Sequence, residues 1–396
     1  MLSQITADDS APAETAAAGT QYYLTTHGVL TSILNAHPLA SDIIFSPGRS
    51  PQAELLGQLV PVDIAGLASL SAEDTARIAA DIMGENLHAR DKLRADGSCD
   101  LSYTLPGVSR FRVNIFSQRG SYAVVMRVIP NTIPTFETLK LPSQLAEITN
   151  LLNGIVLVTG PTGSGKSSTL AAILDKINEE KAYHIITIED PIEFLHQHKK
   201  ATVHQRELYS DTPTFALALH AALRQAPKMI LVGEMRDQDT IETALEAAET
   251  GVVVFSTLHT IDASKTVERI VGVFPLSEQS FIRHRFSKSF RYVISQRLMP
   301  SRDGKARVAA FEILKSTSRT RDYVEAGESD GKTLVDAMRD GELEGMQHFD
   351  GILEKMVRAG AISLETGLAY STNAGNLQLQ VADLGESAAQ SPARRH

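Results

Sequence analysis

The residues of this chain best suited to chemistry form a glycine-rich stretch that ends in a lysine and serines. The stretch fits the pattern G-x-x-x-x-G-K-[ST] and lies between an apolar run and a helical apolar stripe, a context typical of a phosphate-binding loop. Glycines allow successive backbone N–H groups to turn inward around phosphate oxygens, and the amino terminus of the following helix adds positive potential. A glycine-rich turn that fits by chance is the alternative. The predicted loop comprises Gly160, Pro161, Thr162, Gly163, Ser164, Gly165, Lys166, Ser167 and Ser168.

Two side chains of this loop have specific chemical uses. Lys166 can reach the β- and γ-phosphates of a nucleotide, and the Ser167 hydroxyl is placed to coordinate Mg²⁺. The sequence therefore predicts a triphosphate and a magnesium ion at this strand-to-helix junction.

Carboxylates follow a second apolar run. Glu189, Asp190 and Glu193 lie just after it, and Pro191 ends the strand and turns Glu193 back towards the sheet edge. Ligands bind at the carboxyl edge of open parallel sheets. A carboxylate there can accept a proton from the water that attacks the γ-phosphate, or orient that water. A solvated acidic loop is the alternative interpretation.

Two further strand ends carry polar residues. The run Met229–Val232 leads through Gly233 to Glu234, which is placed to hold Mg²⁺ or its water shell. Asp237 and Asp239 are expected to cap the next helix. His259 ends the fourth run, where its imidazole can hydrogen-bond a γ-phosphate. The alternative for Glu234 and His259 is a purely structural role, and this alternative carries more weight for His259.

Three arginines lie on a predicted hairpin near the amino terminus. Arg110 and Arg112 alternate with apolar residues in the stretch 109–116, and Arg127 lies on the returning strand at 122–129. Arginines on a surface strand are usually only solvated, so the pattern alone leaves their role open.

The elements that position these residues form a second, larger region. Its four apolar runs lie at Ile155–Val158, His184–Ile188, Met229–Val232 and Val252–Ser256, each near a helical pattern. Such alternation predicts a mostly parallel sheet with helices on both faces. The stripe of Leu170, Ile173, Leu174 and Ile177 predicts a helix directly after the loop. Thr212 is expected to cap another helix, and the signals from about Pro275 to Leu368 are helical.

The fold class expected is therefore α/β, with a small mixed α+β domain before the sheet domain and a helical carboxyl-terminal part. Prolines punctuate the stretch between the two domains. The predicted organisation is a disordered tail at 1–20, an amino-terminal domain at 21–130, a linker at 131–141, the sheet domain at 142–370 and a carboxyl-terminal extension at 371–396.

Composition limits the function classes. The 396 residues carry a formal net charge of −9 and one cysteine, which disfavours a nucleic-acid-binding surface and leaves no four-cysteine zinc module. No Lys or Arg precedes Arg49, so neither a secretory signal nor a transit peptide is expected. No apolar run approaches the ~20 residues that span a bilayer. The chain is expected to be cytoplasmic, with any membrane association made through a partner.

Four blocks together resemble the PilT/PilU family of type IV pilus twitching-motility ATPases, within the wider class of secretion ATPases. They are GIVLVTGPTGSGKSS, HIITIEDPIEF, LVGEMRD and AAETGVVVFSTLHT, which begin at residues 154, 184, 231 and 247. In that family they are the Walker A, Asp-box, Walker B and His-box motifs. The resemblance implies a hexameric ring of RecA-like ATPase domains, each preceded by a PAS-like domain, and ATP and Mg²⁺ as ligands.

The resemblance also implies roles for individual residues. Glu193 is similar to the family's general base, Glu234 to its Walker B acid and His259 to its His-box histidine. Arg112 and Arg127 occupy the strands from which the family brings arginines onto the phosphates. These residues, with Lys166, are the expected catalytic set.

Partners follow from the same resemblance: other copies in a homo-hexamer, an inner-membrane pilus platform protein that holds the motor peripherally, and a paralogous PilT/PilU ATPase. The sequence departs from the family pattern at Asp42–Ser46, at Ala226–Lys228 and at Ser316–Arg321. These departures leave open an accessory, PilU-like role. A secretion or conjugation motor, a non-hydrolysing docking subunit and a nucleic-acid translocase are further alternatives.

Overall fold

The structure, a computed structural model, describes residues 25–130 and 132–382. The predicted tail at 1–20, Asn131 of the predicted linker, and residues 383–396 of the predicted extension lie outside the described residues. By their internal contacts, the described residues fall into two compact units. The first comprises residues 25–85 with Leu93–Cys99 and Asn114–Arg127. The second comprises Asn86–Lys92, Asp100–Val113 and the described residues from Val128 to 382. The domain boundaries expected from sequence stay a prediction.

The amino-terminal region combines three helices with six strands. The helices are α1 (Thr26–Ala36), α2 (Ala72–Met83) and α3 (Leu87–Asp96). The strands are β1 (Asp42–Phe45), β2 (Gln52–Leu55), β3 (Gln58–Pro61), β4 (Ser98–Leu105), β5 (Ser109–Gln118) and β6 (Ser121–Ile129), in the sheet order β3-β2-β1-β6-β5-β4. The hairpin predicted at 109–129 is confirmed as β5 and β6, and Phe111, Val113 and Ile115 are buried as the alternation predicted.

The second region begins with a 3₁₀ helix at Ser143–Asn150 and contains a seven-stranded sheet among the described residues. Its strands are β7 (Gly154–Thr159), β8 (His184–Glu189), β9 (Thr202–Glu207), β10 (Met229–Val232), β11 (Val253–Leu258), β12 (Phe290–Pro300) and β13 (Arg307–Lys315). The order is β13-β12-β7-β11-β10-β8-β9, and every neighbouring pair is parallel except the antiparallel pair β12–β13. The mostly parallel sheet is confirmed.

Helices cover both faces of this sheet. They are α4 (Lys166–Glu180), α5 (Phe215–Ala222), α6 (Gln238–Glu249), α7 (Ala263–Gly272), α8 (Leu276–Ser289), α9 (Ser318–Ala326), α10 (Leu334–Asp340), α11 (Phe349–Arg358), α12 (Leu364–Tyr370) and α13 (Ala374–Gln380), with a 3₁₀ turn at Glu342–Glu344. On β7, Ile155 and Leu157 face a core shared with α5 to α8, whereas Val156 and Val158 face the core that contains α4. A strand buried on both faces reads as a continuous apolar run, which is why the sequence revealed it.

Two expectations about this region are wrong. Helical signals were expected throughout 275–368, but β12 and β13 are strands, and they extend the sheet beyond β7. The helix expected to begin after Thr212 begins at Phe215, because the Thr214 side chain accepts the N–H of Leu217 and so caps it. Asp237 does cap α6, by accepting the N–H of Thr240, whereas Asp239 lies within the first turn of that helix. None of the described helices is both long and apolar enough to cross a membrane.

Candidate active site

The glycine-rich loop joins the end of β7 to the start of α4. Gly160, Gly163 and Gly165 have φ angles of 145°, 79° and 92°, conformations that residues with a Cβ avoid. At Gly160 a Cβ would lie 2.4 Å from the main-chain oxygen of Gln296 and 2.7 Å from Ser164 Oγ. Glycine is therefore required there both by the backbone conformation and by the close approach of β12.

Lys166, the first residue of α4, is buried within the loop. Its Nζ donates to the main-chain oxygens of Gly160 at 2.9 Å and Pro161 at 3.0 Å. Burial lowers the pKa of Lys166, an effect that the negative charges of Glu193 and Glu234 oppose. An ammonium hydrogen-bonded to main-chain carbonyls can exchange those contacts for stronger ones with an anionic ligand.

Strand β12 holds the loop through buried polar side chains. Thr159 Oγ1 donates to Ser295 Oγ at 2.9 Å, and Thr169 Oγ1 donates to Gln296 Oε1 at 2.8 Å. All four residues are buried, and buried polar groups are tolerated when they are hydrogen-bonded. The strand that the sequence missed thus fixes both ends of the loop.

The three predicted carboxylates, one on the last residue of β8 and two in the loop after it, have different environments. Burial raises the pKa of Glu189 to about 7, although Thr187 Oγ1 donates to its carboxylate at 2.6 Å. Burial also raises the pKa of Asp190, with a further contribution from Glu234, while Arg112 opposes the shift. The Glu193 residue is exposed. Asp190 is exposed as well, whereas Glu189 is half-buried, so Glu193 and Asp190 are the two carboxylates open to an incoming ligand.

Glu234 and His259 lie beside each other at the ends of β10 and β11. The carboxylate Oε2 of Glu234 is 2.5 Å from Arg236 Nε and 3.8 Å from His259 Nε2. Burial lowers the pKa of His259, and the positive charge of Lys166 adds to that shift while Glu234 opposes it. Behind them Thr257 Oγ1 donates to the main-chain oxygen of Gly233 at 2.6 Å, so the two strand ends are fixed to each other.

These strand ends open into one cavity of about 1160 Å³ within the second unit. The predicted residues that line it come from the glycine-rich loop, from three strand ends and from β5; they are Thr162, Gly163, Ser164, Gly165, Lys166, Ser167, Ser168, Glu193, Glu234, His259 and Arg112. Gly160 and Pro161 shape the base of the loop without lining the cavity. An arrangement of a lysine, a hydroxyl, several carboxylates and an arginine around such a volume is suited to holding and hydrolysing a nucleoside triphosphate.

The hairpin arginines have different surroundings. Arg112 is exposed and lines the cavity, close enough to Asp190 to oppose the rise in the pKa of that carboxyl. Arg127 belongs to the first unit, where its Nε lies 3.0 Å from Asp42 Oδ1. Arg110 is paired with Glu207 at 2.5 Å. The functional roles of Arg112 and Arg127 stay predictions.

Sequence reasoning missed two residues of β9 that contact the loop after β8. Gln205 donates to the main-chain oxygen of Phe194 at 2.8 Å, and Glu207 accepts the N–H of Ile192 at 3.0 Å. Their alternation in the stretch 202–207 is the signal that could have identified an edge strand, but the stretch is too polar to stand out.

Comparison with known proteins places this site in a family. The family model described as Type II/IV secretion system protein matches residues 68–342. A twitching motility protein of Neisseria gonorrhoeae is 45% identical over 311 residues, which cover 78% of this chain and 82% of that protein. The type IV pilus retraction ATPase PilT of Pseudomonas aeruginosa is 44% identical, with 82% of this chain and 92% of that protein covered. A crystal structure of the pilus retraction motor PilT with bound ADP superposes with a TM-score of 0.79 at 41% identity, covering 90% and 99% of the two chains.

Proposed function

The chain belongs to the type II/IV secretion system protein family, among its PilT-type ATPases, and on that premise we propose that it is the ATP-driven motor of type IV pilus retraction. The chain is an ATPase of this family. The observation that carries the proposal is the convergence of Lys166, Glu193, Glu234 and His259 on one cavity at the carboxyl ends of neighbouring strands. Two relatives that match most of the chain are described as a twitching motility protein and a type IV pilus retraction ATPase, which supports pilus retraction as the work of this motor.

In the proposed mechanism the loop binds the phosphates of ATP. The amides of residues 160–167 and the first turn of α4 provide positive potential, and Lys166 exchanges its contacts with the carbonyls of Gly160 and Pro161 for phosphate oxygens. The close approach of Gly160 to the main-chain oxygen of Gln296 on β12 keeps these amides in place. Binding therefore relies on backbone geometry that the loop already has.

Hydrolysis requires a water that is oriented and deprotonated. Glu193 is the proposed general base, because it is exposed to the cavity and lies close enough to Lys166 to raise the pKa of that lysine. His259, whose pKa is lowered by burial, is neutral near pH 7 and can donate or accept a hydrogen bond at the terminal phosphate. Arg112 adds positive charge where the transferring phosphoryl group becomes more negative.

The residues present fit a magnesium ion. Ser167 and Glu234 offer the hydroxyl and carboxylate oxygens that Mg²⁺ prefers, and both line the cavity. When bound, the ion would neutralise charge on the phosphates. Arg236 Nε lies 2.5 Å from Glu234 Oε2 and orients that carboxylate.

The proposed assembly is a homo-hexamer on the cytoplasmic side of the inner membrane, attached to a pilus platform protein and able to work with a paralogous PilT/PilU ATPase. The family supports this assembly. Arg112 lines the cavity, so its contact with the phosphates can make closure of the site depend on bound ATP. Arg127 stays a proposed catalytic residue because it occupies a strand that matches the family's arginines. Direct insertion into the membrane and nucleic-acid binding are not part of the proposal.

An accessory role beside a principal retraction motor is the second candidate. This role is favoured by the departures from the family pattern at Asp42–Ser46, Ala226–Lys228 and Ser316–Arg321. These residues do not line the cavity, so the departures change the chain without changing the lining of the ATP site. Asp42 is, however, paired with Arg127, and Ser316–Arg321 includes the start of α9.

The test is deletion of the gene, with electron microscopy of surface fibres and complementation by wild type or Lys166→Ala. A retraction motor predicts excess fibres without twitching, rescued by wild type and not by the variant. Bald cells would contradict retraction and indicate extension. Rescue by Lys166→Ala would show that the work does not use this ATP site and would favour the accessory role.

A further inference from the structure

Strand β9 lies at the edge of the sheet and contacts the loop that carries Glu193. It runs parallel to β8, with Thr187 opposite Gln205 and Glu189 opposite Glu207. Gln205 and Glu207 are two residues apart, so their side chains leave the strand on the same face. Both reach the segment that follows β8.

Gln205 uses its whole amide to hold this segment. Its Nε2 donates to Glu189 Oε1 at 3.1 Å and to the main-chain oxygen of Phe194 at 2.8 Å, and its Oε1 accepts the N–H of His196 at 2.8 Å. The contacts lie on both sides of Glu193 in the chain. The loop is thereby fixed at its start and at its end.

Glu207 holds the middle of the same loop. Its Oε2 accepts the N–H of Ile192 at 3.0 Å, and Ser102 Oγ donates to its Oε1 at 2.5 Å. The carboxylate is 5% exposed and lies 2.5 Å from Arg110 Nη2. A buried carboxylate is tolerated when it is paired and hydrogen-bonded, and here the ion pair and the hydrogen bonds are all present within the second unit.

We propose that Glu207 is a positioning residue for ATP hydrolysis: its carboxylate, neutralised by Arg110, fixes the Ile192 amide and through it the direction of Glu193. The inference rests on the proposed role of Glu193 as general base. Ile192 directly precedes Glu193, so a shift of the Ile192 peptide moves the Glu193 carboxylate. A misplacement of about 1 Å in a reacting group can reduce the rate ~100-fold.

Arg110 connects this loop to β5. Arg110 and Arg112 are two residues apart on the face of β5 opposite the buried Phe111 and Val113. The ion pair with Glu207 therefore holds the part of β5 from which Arg112 reaches the cavity. One buried pair orients groups on two sides of the proposed phosphate site.

The test compares two double variants that both lack the ion pair. Arg110→Met/Glu207→Gln keeps an oxygen that can accept the Ile192 N–H, whereas Arg110→Met/Glu207→Met has none. The expected result is a kcat for ATP hydrolysis about 10-fold lower or more in the Met/Met variant than in the Met/Gln variant, with KM for ATP and the unfolding midpoint the same within error. Equal kcat values would overturn the proposal, as would a loss of kcat that follows a loss of ATP binding or stability.

Glu207→Asp decides the question if the double variants do not fold. It keeps the charge beside Arg110 but shortens the side chain by one methylene, so it cannot satisfy Arg110 and Ile192 together. It is expected to lower kcat at unchanged KM, and a wild-type kcat would refute the positioning role. Arg285→Met/Glu249→Gln, which removes a bidentate pair with two 2.8 Å contacts far along the sequence, is the control and is expected to keep wild-type kcat.

Glu193→Gln, measured beside these variants, separates the general-base role of Glu193 from the positioning role of Glu207. If it turns over ATP like wild type, the proposed role of Glu193 fails and the positioning role fails with it. If it is inactive while every Glu207 variant keeps full kcat, only the positioning role is refuted.

Discussion

The packing of β12 against the glycine-rich loop predicts that two loop glycines differ sharply in tolerance to alanine. A Cβ at Gly160 would lie 2.4 Å from the main-chain oxygen of Gln296, whereas among the described residues no atom lies within 4 Å of a Cβ built at Gly163. Both residues have positive φ, so each alanine carries a conformational cost of about 1–2 kcal/mol. Gly160→Ala adds a clash with a strand backbone that cannot rotate away, for which overpacking costs about 1–3 kcal/mol are usual.

The two substitutions should therefore differ by about 2 kcal/mol, which corresponds to roughly 4–8 °C in unfolding midpoint for a region of this size. The assay is thermal unfolding of the nucleotide-free protein, followed by circular dichroism, for wild type, Gly160→Ala and Gly163→Ala. Equal midpoints for the two variants would refute the inference that β12 packs directly beneath the loop.

Two further predictions concern charge. Burial raises the pKa of Glu312 to about 7 from the ordinary 4.5, so the folded chain binds that proton more tightly than the unfolded chain; its contribution is present below about pH 4.5 and is lost as pH rises through 7. Wild type should lose about 2–3 kcal/mol more stability than Glu312→Gln between pH 5 and 8 by urea unfolding, and parallel pH profiles would contradict this. Arg112→Ala should lower kcat for ATP about 10-fold or more, whereas Arg94→Ala, an exposed arginine on α3, should not; equal rates would remove Arg112 from the mechanism.

The parts of the fold that sequence predicted are those with a strong local signal. Strands β7, β8, β10 and β11 are short apolar runs buried on both faces, so their side chains alone identify them. The glycine-rich loop also has a strong local signal, because each of its backbone positions with positive φ is occupied by a glycine. The carboxylates after β8 and β10 followed from the topology of parallel sheets.

The parts that sequence did not predict depend on partners distant in the chain. Strand β12 contains Ser295 and Gln296, which are buried only because Thr159 and Thr169 bond to them. Strand β9 is polar because Gln205 and Glu207 form hydrogen bonds with the neighbouring loop and do not pack in the apolar core. Such residues resemble a helix surface or a loop until the partner is known. Thr214 replaced Thr212 as helix cap for a similar reason: both residue types suit the position, and only the backbone selects one.

The central claim is that ATP binds at the first strand-to-helix junction and is hydrolysed there with the help of Glu193. The most direct measurement takes one preparation of Glu193→Gln and determines both the affinity for ATP and the rate of phosphate release, beside wild type and the exposed control Glu268→Gln. The account predicts ATP affinity near that of wild type and phosphate release reduced ~100-fold or more, with the control unchanged. Phosphate release at the wild-type rate by Glu193→Gln would contradict it.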